Sequence, residues 1–278
     1  MKRTFLLALM AMGSAAGQSL NCDMTAYKAQ DGLKAQLHGS VLEVAWQGER
    51  SEQLRASFTI RGGQPVVDEL AARRNGGNWI VLGKNLTPEF EITSGVRRLS
   101  EQQMAPLRGL KIELTPEVVD REKWYAFWDA PLMVPGRQGT NLGLPRKPEE
   151  VRRTWAKYNS TGCQVKTDGA RISVAFPGFD GGIFSGVLQY TVYRGTNLLR
   201  QEAIASTNEP SVAYKYDAGL KGFSIQDDTR VVWRDTARAW QQYAFGGAVN
   251  QQSVALRAQS LGDPRGQRRV ARLPTAIA

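Results

Sequence analysis

The stretch Phe184–Thr207, FSGVLQYTVYRGTNLLRQEAIAST, constrains the fold of this chain more than any other segment. Apolar and polar residues alternate on either side of RGTN, and a repeat of two is typical of a strand with one buried face. Glycine and asparagine between the two halves favour a tight turn. The segment therefore predicts a β-hairpin in an antiparallel sheet.

The same alternation recurs along most of the chain. Residues 54–60, LRASFTI, put every second residue on an apolar face, and the glycine pairs at 62–63 and 76–77 are turn signals. Further strand-like runs are NWIVLG, FEIT, ARISVAF, SVAYKY, GFSIQ and RVVW. Strands that follow one another without regular intervening helices predict an all-β, antiparallel β-sandwich rather than βαβ units.

The sequence changes character near 95–160, where we expect a helical and loop insertion. Thr115 and Pro116 form a helix-start signal. Residues 133–148 are rich in glycine and proline and indicate an irregular connection. The run KPEEVRRTWAKY, residues 147–158, favours a short helix.

These patterns divide the chain into five segments. They are a signal peptide (1–17), a first β-sheet region (18–95), a helical and Gly/Pro-rich connection (96–162), a second β-sheet region (163–258) and an atypical tail (259–278). Alternation stops abruptly near Ala258. Two interpretations stay open: the chain is truncated there and continues out of frame, or the tail is an ordinary disordered terminus.

The N-terminus predicts export. Lys2 and Arg3 precede the apolar run TFLLALMAMG and the small residues SAAG, which is the pattern of a cleaved secretory signal. We therefore expect a periplasmic or extracellular protein, with no membrane span after signal removal. In an oxidising compartment Cys22 and Cys163 either form one long-range disulfide or remain two separate thiols.

Several classes of chemistry lack the residues that they need. His38 is the only histidine, and its context LHGSV favours a turn, so the sequence gives no support to Ser-His-Asp or Cys-His catalysis. We expect no metal and no cofactor, because ligand clusters and phosphate-binding glycine motifs are absent from the sequence. The net charge of +10 lies largely near the termini and predicts no nucleic-acid partner.

Carboxylates are the remaining reactive groups. Asp180 and Asp217 lie near glycines, which is typical of turns, and Asp227–Asp228 open a short connection. Counting by two puts Arg200 and Glu202 on one strand face, about 6.5–7 Å apart. They form either an exposed ion pair, worth under about 1 kcal/mol, or a polar patch that contacts sugar hydroxyls.

Tryptophans add a second kind of candidate. Trp233 and Trp240 flank RDTARA near a predicted strand end and are candidate platforms for pyranose rings, although most large aromatic residues belong to the core. The candidate carbohydrate contacts are therefore Arg200, Glu202, Trp233 and Trp240, and no catalytic residue is assigned.

Two segments resemble a known family. GIFSGVLQYTVYRGTNLLRQEAIASTNEPSVAYKYDAGLKGF and LRASFTIRGGQPVVDELAARRNGGNWIVL are similar to strands of the galactose-mutarotase-like β-supersandwich. The resemblance implies that fold and contact with sugar. It implies no mutarotase chemistry, because those enzymes use histidines beside a glutamate and this chain has a single histidine. The chain also resembles longer secreted proteins of soil bacteria, in agreement with truncation.

Three functions follow as hypotheses. The first is a glycan-binding module, not catalytic on its own, whose partner is a polysaccharide or oligosaccharide. The second is the truncated N-terminal part of a polysaccharide lyase or glycoside hydrolase. The third is a structural or partner-binding envelope protein. A concave groove that carries Arg200, Glu202 and an exposed tryptophan would favour the first two, and a flat polar face would favour the third.

Overall fold

A computed structural model describes residues 20–96, 101–115, 117–118, 151–209, 212–223, 230–234, 239–244 and 260–261. These residues form sixteen strands, a short 3₁₀ turn at Glu49–Ser51 and helix α1 at Glu101–Gly109. The strands are β1 (Asn21–Asp23), β2 (Leu33–His38), β3 (Val41–Gln47), β4 (Glu52–Arg61), β5 (Gln64–Arg74), β6 (Ile80–Val96), β7 (Val151–Trp155), β8 (Lys157–Tyr158), β9 (Gly162–Asp168), β10 (Arg171–Asp180), β11 (Ser185–Tyr193), β12 (Leu199–Ser206), β13 (Val212–Lys221), β14 (Arg230–Arg234), β15 (Trp240–Ala244) and β16 (Ser260–Leu261).

Two large sheets build the fold. The first sheet has the order β1-β9-β10-β11-β12, with β8 beside β10, and the second has the order β13-β6-β5-β4-β3-β2, with β7 beside β6. Among the described strands only β1 and β9 pair in parallel. The two sheets pack together around one core, so the prediction of an all-β sandwich is confirmed. A small third sheet has the order β15-β14-β16.

The core forms where the alternating apolar residues of the two sheets meet. Phe58 of the second sheet contacts Phe176 and Tyr190 of the first sheet, at ring-centroid distances of 6.0 and 5.0 Å. The indole nitrogen of Trp46 donates a hydrogen bond to the carbonyl oxygen of Thr196, at 2.9 Å. This bond ties the second sheet to the turn of the β11–β12 hairpin.

The predicted hairpin is confirmed. Strands β11 and β12 pair in antiparallel register, and RGTN connects them. Gly195 has a φ of +83°, a conformation that glycine adopts without strain. The Asn197 side chain accepts a hydrogen bond from the Glu49 amide at 2.8 Å, which fixes the turn against the second sheet.

The helix predicted at residues 147–158 is wrong over the part that the structure describes, residues 151–158. Val151–Trp155 is strand β7, whose ladder with β6 pairs Val151 with Gly95 and Trp155 with Glu91. Hydrogen bonding to a neighbouring strand overrides the local helix preference of the KPEE start. Other parts of the predicted insertion, residues 119–150, lie outside the described residues. At the predicted helix start, Thr115 Oγ1 accepts a hydrogen bond from the Val118 amide at 3.3 Å, as the side chain of a helix-capping residue does.

Three further expectations need correction or fall outside the structure. IVLG of the run NWIVLG and FEIT belong to a single strand, β6, which pairs first with β5 and then with β13 and β7. Asp217 lies inside β13 and not in a turn, because this strand continues to Lys221. The signal peptide and all of the predicted tail except Ser260–Leu261 lie outside the described residues.

Cys22 and Cys163 form a disulfide between neighbouring strands. They are direct partners in the β1–β9 ladder, with Cα atoms 4.4 Å apart and 141 residues apart in sequence. The bond ties the first described strand to the middle of the chain.

In the described part of the chain, no helix has the length and apolarity to span a membrane.

Candidate functional site

Arg200 and Glu202 lie together on the outward face of β12, at the edge of the first sheet. Their side chains form an ion pair, with exposed fractions of 36% and 20%. Arg200 Nη1 also donates to the Tyr193 hydroxyl oxygen at 3.4 Å. The sequence therefore placed these two charges correctly on one face, and the structure adds Tyr193 as their neighbour.

Hydroxyl and amide groups extend this patch across the sheet. Gln189 lies directly opposite Glu202, and Thr191 lies opposite Arg200. Thr191 Oγ1 accepts a hydrogen bond from Gln189 Nε2 and shares one with the Ser173 hydroxyl, both at 3.3 Å. We call this surface the first-sheet polar face; it comprises Arg171, Ser173, Gln189, Thr191, Tyr193, Arg200 and Glu202.

Two arginines converge on this face. Arg171 lies directly opposite Tyr193 in the β10–β11 ladder and forms an ion pair with Asp168, which lowers the pKa of that carboxyl. The hydrogen bond to Tyr193 and the charge of Glu202 raise the pKa of Arg200, while the charge of Arg171 opposes them. Arg200 Nε is buried and has no hydrogen-bond partner in the described residues. The face thus places cationic donors, the hydroxyls of Ser173 and Tyr193 and a carboxylate side by side, whereas Thr191 is buried.

Trp233 and Trp240 lie elsewhere, in the third sheet. Trp240 pairs with Arg234 and is 47% exposed, and Trp233 pairs with Gln241. No ladder joins this sheet to β12 among the described strands. The structure therefore brings Arg200 and Glu202 together but does not add either tryptophan to their sheet.

The other residues that the sequence singled out have structural surroundings. The Asp180 carboxylate accepts a hydrogen bond from the Gly182 amide at 2.8 Å, so the predicted turn role is confirmed. His38 ends β2 immediately before a turn, also as predicted. Asp227–Asp228 lies outside the described residues. The described residues contain no group of three or more metal-ligating side chains.

A second polar surface was missed by the sequence reasoning. On the outer face of the second sheet, Trp155 of β7, Glu91 of β6 and Asp217 of β13 form one row of directly paired residues. Trp155 is 56% exposed. The next row carries Lys215 and Arg153 on either side of Thr93. We call the set Trp155, Glu91, Asp217, Lys215 and Arg153 the second-sheet polar face.

The two carboxylates of this face have no partner among the residues that the structure describes. Neither Glu91 nor Asp217 forms an ion pair or side-chain hydrogen bond within the part of the chain that the structure describes. The neighbouring Glu89 is different, because it lies 3.8 Å from the Lys221 ammonium. No local pattern marked Trp155, because VRRTW does not alternate between apolar and polar residues and the preceding KPEE suggested a helix.

Trp79 is a further half-buried tryptophan, but its ring is already occupied. The guanidinium carbons of Arg55 and Arg73 lie 4.6 and 4.5 Å from the centre of the ring. Arg55 also pairs with Glu69 at 2.6 Å. Trp79 therefore stabilises the outer surface of β4 and β5 rather than presenting a free platform.

No protein-family model, curated protein or solved structure matches this chain. The resemblance to galactose-mutarotase-like domains consequently stays a prediction.

Proposed function

We propose that this chain is an exported, carbohydrate-associated β-sandwich module that binds a polysaccharide through the first-sheet polar face and is not catalytic on its own. One observation carries the proposal: Arg200 and Glu202 lie paired on an outward strand face, joined to the hydroxyl of Tyr193. This arrangement presents a fixed donor and a fixed acceptor next to each other.

The chemistry of the face suits sugar hydroxyls. A hydroxyl group both donates and accepts, so it can bond a guanidinium with its oxygen and a carboxylate with its hydrogen. Hydrogen bonds that involve a charged partner are about twice as strong as neutral ones. Because the side chains already hold one another, little side-chain entropy is lost when a ligand binds.

Export and the family relationship belong to the same proposal. The N-terminal signal pattern supports an extracytoplasmic location, and a buried disulfide fits an oxidising compartment. The pair of packed, mostly antiparallel sheets is compatible with the supersandwich that the sequence resembles. His38 is the only histidine in the sequence and lies at a turn. We therefore propose glycan binding without catalysis.

A glycan array followed by calorimetry on the full chain tests the proposal. Glu202→Gln keeps the shape of the side chain and removes its charge, and we expect it to weaken binding about tenfold, the effect of one charged hydrogen bond. Glu209→Gln is the matched control, because Glu209 belongs to a different exposed ion pair, with Arg152. Release of reducing ends would instead favour a truncated hydrolase. A folded wild-type chain that binds no glycan would remove the proposal and favour a partner-binding envelope protein.

A further inference from the structure

We propose that the second-sheet polar face is a separate saccharide site, with Trp155 as the stacking platform and with Glu91 and Asp217 as acceptors for sugar hydroxyls. The inference rests on the proposed function for its ligand class. It does not use any residue of the first-sheet polar face, which lies on the opposite side of the sandwich.

Trp155 is not a core residue, because most of its surface is exposed to solvent. More than half of the residue is accessible, although it lies at the end of a strand that is paired along its whole length with β6. Large aromatic rings dominate the energetics of buried contacts, so exposing one leaves much of its apolar surface in water. A pyranose ring has an apolar C–H face that can cover this surface while its hydroxyls stay hydrated or bonded.

The described residues supply no hydrogen-bond donor to the two carboxylates beside the ring. Glu91 and Asp217 are directly opposite in an antiparallel ladder, where Cβ atoms lie about 4.5–5.5 Å apart and like charges destabilise the sheet. Each ionised carboxylate can accept about four hydrogen bonds. The hydroxyl groups of a sugar above this row would donate to both carboxylates.

The row also defines the size and charge of the ligand. Trp155, Glu91 and Asp217 lie on three adjacent strands, so the row spans two interstrand spacings, or about 10 Å. Lys215 in the next row offsets one of the two negative charges. A surface that keeps an excess of negative charge fits a neutral saccharide better than a polyanion.

Calorimetric titration of the full chain with neutral oligosaccharides tests the site, using cellohexaose, mannohexaose, xylohexaose and laminarihexaose as probes. We expect Trp155→Ala and the double variant Glu91→Gln/Asp217→Asn each to weaken binding about tenfold. Tyr214→Ala is the matched control, because Tyr214 is an equally exposed aromatic residue, at 54%, on the other face of the same three strands. It should change affinity by less than about twofold.

The double variant Arg200→Ala/Glu202→Ala separates the two sites. If it retains binding of a neutral probe and the further change Trp155→Ala removes that binding, the second site is established. If the Arg200/Glu202 variant loses all binding while Trp155→Ala binds like wild type, the second site is refuted and the proposed function stands. Binding of no glycan by the wild type would refute both.

Discussion

Tyr190 carries a hydroxyl group into the centre of the sandwich. The residue is fully buried between the two sheets, and its oxygen has no hydrogen-bond partner in the described residues. A buried polar group without a partner destabilises a protein by about 1–3 kcal/mol. The ring itself is needed, because it packs against Phe58 and Phe176.

We predict that Tyr190→Phe raises the free energy of unfolding by about 1 kcal/mol. The substitution removes only the unpaired oxygen and keeps the ring contacts. Urea denaturation at pH 7 measures the effect. Tyr158→Phe is the matched control: the Tyr158 hydroxyl donates to the Pro88 carbonyl oxygen at 3.4 Å, so this change should instead lower stability. A loss of stability in Tyr190→Phe would contradict the prediction.

At the scale of single elements, two glycines in strands have opposite surroundings. A Cβ atom at Gly186 in β11 would overlap the carbonyl oxygen of Ile204 and lie 2.7 Å from the Cα of Ala205, both in β12. A Cβ atom at Gly219 in β13 would have no atom within 4 Å. Only the first glycine is required for two strands to approach each other.

Gly186→Ala should therefore force β12 away from β11, whereas Gly219→Ala should be neutral or stabilise the protein by up to about 1 kcal/mol. We expect the first variant to lose about 1–3 kcal/mol, the cost of overpacking at a close backbone contact. Thermal unfolding of both variants measures the difference. Equal melting temperatures would show that the hairpin has room for a methyl group at position 186.

The hairpin and the strand β7 show what could be predicted at this scale. Ser185–Ser206 carries its own alternation and its own turn, so both strands and the pairing of Arg200 with Glu202 followed from local sequence. Strand β7 has only five residues and follows a helix-favouring segment, and its identity depends on pairing with β6. Local patterns do not contain that long-range information.

The same reason explains why the second-sheet polar face was not predicted. Its row joins residues 91, 155 and 217, which meet only because β7 and β13 pair on opposite sides of β6. The sequence showed Asp217 beside a glycine and suggested a turn. Register between distant strands, not composition, creates the juxtaposition of two carboxylates with an exposed tryptophan.

At the scale of the whole molecule, the Cys22–Cys163 disulfide closes a long loop. For a separation of 141 residues, the chain-entropy model gives a stabilisation of about 5 kcal/mol. We predict that Cys22→Ala/Cys163→Ala lowers the free energy of unfolding by about 3–5 kcal/mol. Urea denaturation should give a similar loss for the wild type in reducing buffer, and no effect of reductant on the double variant. Equal stability of the oxidised wild type and the double variant would mean that the bond contributes nothing.

Alkaline pH should destabilise the molecule through the buried Tyr190 and the partly buried Tyr158. Burial raises the pKa of Tyr190 well above 10.0, and burial together with the charge of Glu89 raises the pKa of Tyr158. Both remain protonated in the folded state, while the same residues ionise near pH 10 once the chain unfolds. The folded state then binds more protons, so this contribution is complete below pH 10 and decreases as the pH rises above it.

Each tyrosine held in its neutral form should lower the free energy of unfolding by about 1.4 kcal/mol per pH unit above pH 10. Tyr190→Phe removes one of the two ionisations, so its advantage over the wild type should grow between pH 8 and pH 11, by about 1.4 kcal/mol. Urea denaturation at pH 8, 10 and 11 measures both slopes. A constant difference between the two proteins over this range would mean that Tyr190 ionises in the folded state as readily as in the unfolded chain, and hence that water reaches the centre of the sandwich.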